Sequence, residues 1–551
     1  MTQPRPPSHL LSGESLARPL PWLWLPLWVT AALIAIFQHG PMPMYSTRTL
    51  SVAWEMWLRH SILVPYLNGL PYSDKPPLLL WLIQSGWAVA GVNDVWPRLL
   101  EVLLGAIQLV LAWRLARKLF PQDMRIAHAT AWILLAFTYG FLFGLQVMYE
   151  VLLADCVLAA LLCLAPAAHG KAPRFGGFLL ALSLGLLTKG PVVLLHAGVP
   201  WLLGPLWSGW ARRERRQWYC RGGLACLAAC FVLLAWALPA AWGGGKTYQH
   251  MLLVHQTAGR VVDAFAHAHR FWWYLPLLPV LAFPFTFWPR MWAALLRWQL
   301  PPEPGVRFLL AWLAPVLLGF SVISGKQAYY LLPEFAGMAM LMAVALVRAH
   351  APGMAKNRWL SPWPLAALLA AAGVALIELD ALVARHVLSD PMYSVMASHG
   401  RPFGALYLLL ALVLVVPRKG ELYRVAGAGL VAAVAANGLF SLTLWPAYDF
   451  APVSHLVAQA QRENRPVASL DSNDGQYTFL GRLTEPVQQL HGVHALQEWS
   501  DRHADGLVIV YPKRLSQADH AQAIYTQPFR GISLAVWPAA ALAKALPQED
   551  L

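Results

Sequence analysis

Apolar runs of fifteen to just over twenty residues, separated by short charged segments, follow one another along most of the chain. A membrane-crossing helix needs about 20 apolar residues. On that measure thirteen spans are expected, at 20–38, 96–115, 126–146, 150–166, 175–189, 190–208, 222–242, 271–289, 306–323, 329–348, 361–379, 403–417 and 424–445. The run 175–208 is too long for one helix and carries Lys189-Gly190-Pro191, so it is divided at that helix-breaking sequence. Residues 464–551 change character: short apolar runs at Val467–Leu470, Leu507–Tyr511 and Ile532–Trp537 alternate with polar turns and read as strands, with a helix near 494–503. The expected fold is a polytopic α-helical membrane protein of about 13 transmembrane helices with a small extracytoplasmic α/β C-terminal domain. Residues 1–445 form the membrane domain, with a long first extracytoplasmic loop at 38–95, and 446–551 form the outer domain. No internal repeat is visible.

Composition strengthens the membrane reading. Of 551 residues, 58% are hydrophobic and only 12% are charged, against roughly 25% charged in soluble domains. The net charge of +14 suggests nucleic acid at first sight, but the basic residues punctuate the spans, so nucleic acid is excluded as a partner. Counting from the N-terminus, 22 of the 41 Lys and Arg fall in the short segments on its own side, which places that side in the cytoplasm. The first loop, the 243–270 and 380–402 loops and the tail then lie outside. Arg5 and Arg18 precede the first apolar run, but no small-residue cleavage site follows it, so it reads as an uncleaved helix. The five cysteines (156, 163, 220, 226, 230) sit in or beside apolar spans and offer neither a disulfide framework nor a CxxC site.

Charge placement brings in the candidate chemistry. Arg48, Glu55, Asp74, Lys75, Glu150, Lys189, Lys246, Arg260, His269, Arg270 and Lys326 all fall at the outer ends of spans, with Asp155 deeper in its helix. A charge within a membrane segment costs about 2.5–3.5 kcal/mol, so such residues pair or face a cavity. Any one of them alone reads as a snorkelling interfacial charge. Several basic groups converging on one face point instead to a shared anion, and a lipid-linked phosphate or pyrophosphate fits. Two stretches carry extra weight: Tyr72-Ser73-Asp74-Lys75-Pro76-Pro77, and Ser324 to Pro333, which opens a span with Lys326, Tyr329 and Tyr330. A divalent cation on Glu150, Asp155 or Asp74 stays open, since no spacing demands one.

These stretches resemble a known family. The segments TR…EM…ILVP…LNGLPYSDKPPLLLW at 47–81, EVLL at 150–153, TKGP at 188–191, AGR…HRFWWYLP at 258–276 and SGKQAYYLLP at 324–333 are similar to those of GT-C membrane glycosyltransferases that use polyprenyl-phosphate sugars. The closest likeness is to the lipid A aminoarabinose transferases, related to protein mannosyltransferases. The resemblance implies a bacterial inner-membrane enzyme, acting as a monomer. It would transfer a sugar with inversion from an undecaprenyl-phosphate donor to lipid A or another envelope acceptor at the outer face. It implies donor-phosphate contacts from Arg48, Lys75, Lys189, Arg260, Lys326 and Tyr330, and carboxylate roles for Asp74 and Glu150. One departure stands out. Where the family places an acidic pair three residues before the matching Arg, this chain has Tyr45 and Ser46. Glu150 or Asp74 takes over the catalytic role, or the acceptor is an already anionic phosphate, or the chain is a non-catalytic relative that binds polyprenyl phosphate.

Overall fold

The computed structural model describes residues 21–253, 268–297, 303–348, 357–385, 387, 391–416, 420–470, 473–512 and 521–545. Among them, seven helices are long and apolar enough to cross a membrane, eight if the pair Met124–Leu134 and Thr138–Gly144, bent by 64°, counts as one. Four shorter apolar helices accompany them: α1 (Trp24–Ile36), α3 (Leu78–Ala90), α8 (Phe175–Lys189) and Trp363–Ile377. The chain is a multi-span helical membrane protein.

Besides the bent pair at 126–146, two further expected spans are not single helices. Residues 190–208 break into a turn of π-helix (Leu194–Gly198) and two four-residue helices. Residues 271–289 hold one helix, Tyr274–Leu281, followed by a 3-10 turn. Both stretches are apolar enough for a span, but Pro191, Pro200 and Pro205 in one and Pro279, Pro284 and Pro289 in the other each remove a backbone donor and crowd the preceding turn. Hydropathy measured composition there, and proline set the backbone.

The stretch expected as the first extracytoplasmic loop is more structured than a loop. It forms α2 (Ser46–Leu58), the strands β1 (Tyr66–Leu67) and β2 (Leu70–Pro71), and α3. Asn68 and Gly69, both with positive φ, make the two-residue turn of this hairpin, the pairing that Asn-Gly favours. Leu50, Val52, Ala53 and Met56 of α2 bury against Leu79, Leu80, Ile83 and Trp87 of α3. Each buried Leu, Val, Ile or Met among them contributes about 1.5–3 kcal/mol.

The tail packs onto the far side of α2. Strands β3 (Val467–Leu470), β4 (Gln488–Leu490), β5 (Leu507–Val510), β6 (Tyr525–Phe529) and β7 (Ile532–Pro538) form one sheet in the order β4-β3-β5-β7-β6. β3 is parallel to β4 and β5, while β7 is antiparallel to β5 and β6. Ser51 Oγ donates to the Gly475 carbonyl at 2.5 Å and accepts from the Phe479 amide at 3.0 Å. Trp54 donates to the Leu483 carbonyl at 2.8 Å. The Asn68 amide donates to and accepts from the Val487 backbone at 2.8 and 2.9 Å, as a strand neighbour would. Trp87 stacks on Phe479 at 5.4 Å. The first loop is therefore held between the helical bundle and the tail.

Candidate functional site

The site begins with two helix ends. The helix α7 (Tyr149–Leu164) carries Glu150 in its first turn, and α8 carries Lys189 in its last. A helix N-terminus favours a carboxylate and a C-terminus favours a cation. Gly190, at φ +71°, ends α8 directly after Lys189, a backbone conformation that glycine adopts without strain. α7 and α8 pack side by side, so the two ends meet: Lys189 Nζ lies 2.7 Å from Glu150 Oε1, with both side chains largely buried. The Lys189 ammonium also sits 4.7 Å from the ring centre of Tyr330 and 5.8 Å from that of Tyr329. Aromatic faces attract a cation by about 0.5–2 kcal/mol, so Lys189 is held from three sides.

Tyr45 and Ser46 stand next to this pair in different roles. The Tyr45 ring lies edge-on to Tyr329 at 6.1 Å and to Phe143 at 6.0 Å, closing an aromatic wall that includes Tyr139 stacked on Phe143. Ser46 is buried, donating to Gln146 at 3.2 Å and accepting from the Val147 amide at 3.0 Å. It anchors the strand of chain that leads into α7 and Glu150. The two positions where the resemblance led to the expectation of an acidic pair here supply aromatic packing and a structural hydrogen bond.

The remaining predicted residues divide by what they touch. Asp74 and Lys75 lie in the turn before α3, with Lys75 Nζ 3.3 Å from the Asp74 carbonyl. Tyr72 and Asp74 are within electrostatic reach of Tyr149, which adjoins Glu150. Arg48 pairs with Asp474 of the tail at 2.9 Å. Lys326 is buried, and its ammonium donates to the carbonyls of Ile323 (2.5 Å), His269 (2.9 Å) and Ser324 (3.5 Å). Burial holds its pKa below the usual ammonium value. Contact with a ligand phosphate would require those carbonyls to be exchanged. Arg260 lies outside the described residues.

The metal option weakens on geometry. Glu150 and Asp155 are five positions apart on α7, about 140° around the helix, so they do not face one ion. Glu150 already faces an ammonium, and among the described residues no three His, Cys, Asp or Glu side chains converge as a ligand set. Both Asp155 oxygens are buried without a hydrogen-bond partner. Glu101 of α4 (Val95–Leu119), a residue the sequence reading passed over, is fully buried within electrostatic reach of Glu150 and Asp155. Its signal was a lone acid inside an apolar helix.

The turn that carries Tyr330 also borders a cavity of about 440 Å³. Its walls include Leu278, Phe285, Leu313, Leu317, Leu331 and Met338, and among the described residues its only ionisable lining residue is Glu334. The 3-10 turn Ala328–Glu334 joins the two features: Tyr330 faces Lys189, while Leu331 and Glu334 line the cavity. An ammonium held beside a carboxylate, adjoining a lipid-sized apolar hollow, suits an anionic head on a hydrophobic tail.

Comparisons with known proteins bear on the fold and the family likeness. Residues 74–236 match the family model described as dolichyl-phosphate-mannose-protein mannosyltransferase. The undecaprenyl phosphate-alpha-4-amino-4-deoxy-L-arabinose arabinosyl transferase of Pseudomonas paraeruginosa is 33% identical over 327 residues, 57% of each chain. Its counterpart in Edwardsiella ictaluri is 29% identical over 338 residues, 57% of this chain and 58% of that one. The chain thus matches somewhat over half the length of these curated relatives. The crystal structure of ArnT from Cupriavidus metallidurans bound to undecaprenyl phosphate superposes with a TM-score of 0.73 over 96% of this chain and 100% of that one, at 18% identity. The apo form of the same protein gives 0.72. The fold is that of ArnT, and the GT-C-like plan expected from the sequence holds.

Proposed function

We propose that this protein is a glycosyltransferase that moves a sugar from an undecaprenyl-phosphate donor to lipid A or another envelope acceptor. It would work with inversion, as a monomer, at the outer face of a bacterial inner membrane. The observation that carries the reading is the Glu150–Lys189–Tyr330 group, joined to the apolar cavity through the turn Ala328–Glu334. The names of the relatives supply the donor class. In this reading the N-terminus is cytoplasmic, residues 446–551 form a periplasmic domain, and residues 1–445 are the catalytic membrane domain.

The chemistry follows from charge. When the acceptor attacks the anomeric carbon, the bond from that carbon to the donor phosphate oxygen breaks and the lipid phosphate leaves with an added negative charge. A preorganised cation where charge develops is usually the largest single catalytic contribution. Lys189 takes that role, with Tyr330 donating a hydroxyl and Lys75 and Arg48 approaching from the first loop. Arg260 and Lys326 complete the proposed phosphate set, Lys326 by exchanging its carbonyl partners. As phosphate draws the ammonium away, Glu150 is released to accept a proton from a hydroxyl acceptor or to orient a phosphate acceptor, with Asp74 the other candidate carboxylate.

A second reading is favoured by one specific observation: Ser46 and Tyr45 serve in packing, so the chain lacks the acidic pair of its relatives. In that reading it binds polyprenyl phosphate without catalysis. Sugar transfer from an undecaprenyl-phosphate donor in membranes separates the two. The transferase reading expects turnover in the wild type and at least a 100-fold loss in both Lys189→Ala and Glu150→Gln, in keeping with the roughly 10²–10⁴-fold such groups contribute. Lipid binding without any transfer would overturn it in favour of the second.

A further inference from the structure

We propose that His196 and Glu334 form a positioning pair that fixes Lys189 and Tyr330 relative to one another for binding of the lipid phosphate. This inference rests on the functional reading above. His196 Nδ1 lies 2.6 Å from Glu334 Oε1, and the two side chains are 1% and 4% exposed. His196 is on the π-turn seven residues after Lys189, beyond the Gly190-Pro191 break. Glu334 ends the 3-10 turn that carries Tyr330, four residues later. The contact therefore ties together the two irregular segments that present the site's cation and its aromatic partner. Phe320 fills the space between, with its ring 5.3 Å from His196 and 5.9 Å from Tyr330.

The chemistry of the pair argues against simple packing. Among the described residues, His196 Nε2 and Glu334 Oε2 are both buried without a hydrogen-bond partner, and Glu334 is the only ionisable residue lining the apolar cavity. Leaving two polar atoms unpaired in such a place is costly, and apolar side chains of the same size would hold two segments together without that cost. What a short hydrogen bond adds is a fixed direction and register. Neither segment has regular α-helical hydrogen bonding to supply one, since π and 3-10 turns lack the i→i−4 ladder. Gly319 opens room for the π-turn to press against the neighbouring helix, because a Cβ there would come within 2.9 Å of Leu195.

The test is equilibrium binding of undecaprenyl phosphate, and of the uncharged undecaprenol, to the full chain in nanodiscs. Wild type should bind the phosphate more tightly than the alcohol, and Lys189→Ala should abolish the difference. If it does not, the functional reading fails and takes this inference with it. With that difference present, Glu334→Met and His196→Gln should each weaken phosphate binding at least tenfold and change undecaprenol binding less than threefold. Glu334→Gln, which keeps a partner for His196, should recover most of the lost affinity. A merely structural pair would not separate the two lipids. Unchanged phosphate binding in both variants, or equal loss of both lipids in both, overturns the proposal.

Discussion

At the scale of single residues, the site is a matter of charges that have no cheap alternative partner. Lys189 and Glu150 lie 2.7 Å apart and are mostly withdrawn from solvent. Breaking a buried ion pair from one side costs about 3–5 kcal/mol because the survivor stays buried and unpaired. Lys189→Met should therefore lower the unfolding temperature markedly, and adding Glu150→Gln should restore most of the loss. Thermal unfolding of the purified variants reads this directly; a double variant less stable than the single one would contradict the pairing. Tyr45→Asp poses a second residue-level question. It removes the edge-on contact with Tyr329 and restores an acid where the related family carries one. If the missing acid limits turnover, transfer to a hydroxyl acceptor should rise about tenfold or more in membrane assays, within the range a general base contributes. A fall in activity would mean that the aromatic wall matters more.

At the scale of elements, α2 and its hairpin depend on Glu55. Its carboxylate accepts from the amides of Asn68 and Gly69, and burial raises its pKa above the ordinary carboxylate value. A raised folded pKa favours the protonated form, so the associated stability is complete below the ordinary value and declines as pH rises through the folded pKa. Wild type measured against Glu55→Gln should thus lose relative stability as pH rises above the ordinary glutamate value, the direction following from that upward shift. A flat difference in chemical unfolding over that rise would refute the assignment. Elements also explain what was readable. Strands β3 and β7 appear nearly as expected because each is an apolar run between turn residues, and the helix near 494–503 is found at Gly492–Arg502. β4 was missed because it has three residues and only Leu490 is buried. α3 was assigned to a loop because its apolar run follows two prolines and lies outside the regular spacing of spans. Glu150 and Lys189 were visible as charges at apolar boundaries, but their contact depends on α7 and α8 packing side by side, which no local pattern encodes. His196 and Glu334 were passed over because a single polar residue in an apolar run gives no indication of its partner 138 positions away.

At the scale of the whole molecule, the tail reaches into the candidate site through one ion pair. Arg48, expected to meet the donor phosphate, instead reaches Asp474 at 2.9 Å, and both side chains are partly exposed, 34% and 47%. The surrounding clamp of Ser51, Trp54 and Asn68 on the tail keeps the two close whether or not the pair forms. A partly exposed pair is worth about 0–1 kcal/mol, so Asp474 competes only weakly with a phosphate for the guanidinium. Asp474→Asn should accordingly strengthen binding of undecaprenyl phosphate by no more than about fivefold, the equivalent of that energy. Arg48→Ala should weaken binding, to the same final affinity with Asp or Asn at position 474. Raising salt should narrow the gap between wild type and Asp474→Asn, because exposed pairs are screened. If Asp474→Asn changes nothing while Arg48→Ala weakens binding, Arg48 reaches the ligand with its tail partner in place. If neither variant changes affinity, Arg48 belongs to the clamp alone and the phosphate is held from the Lys189 side.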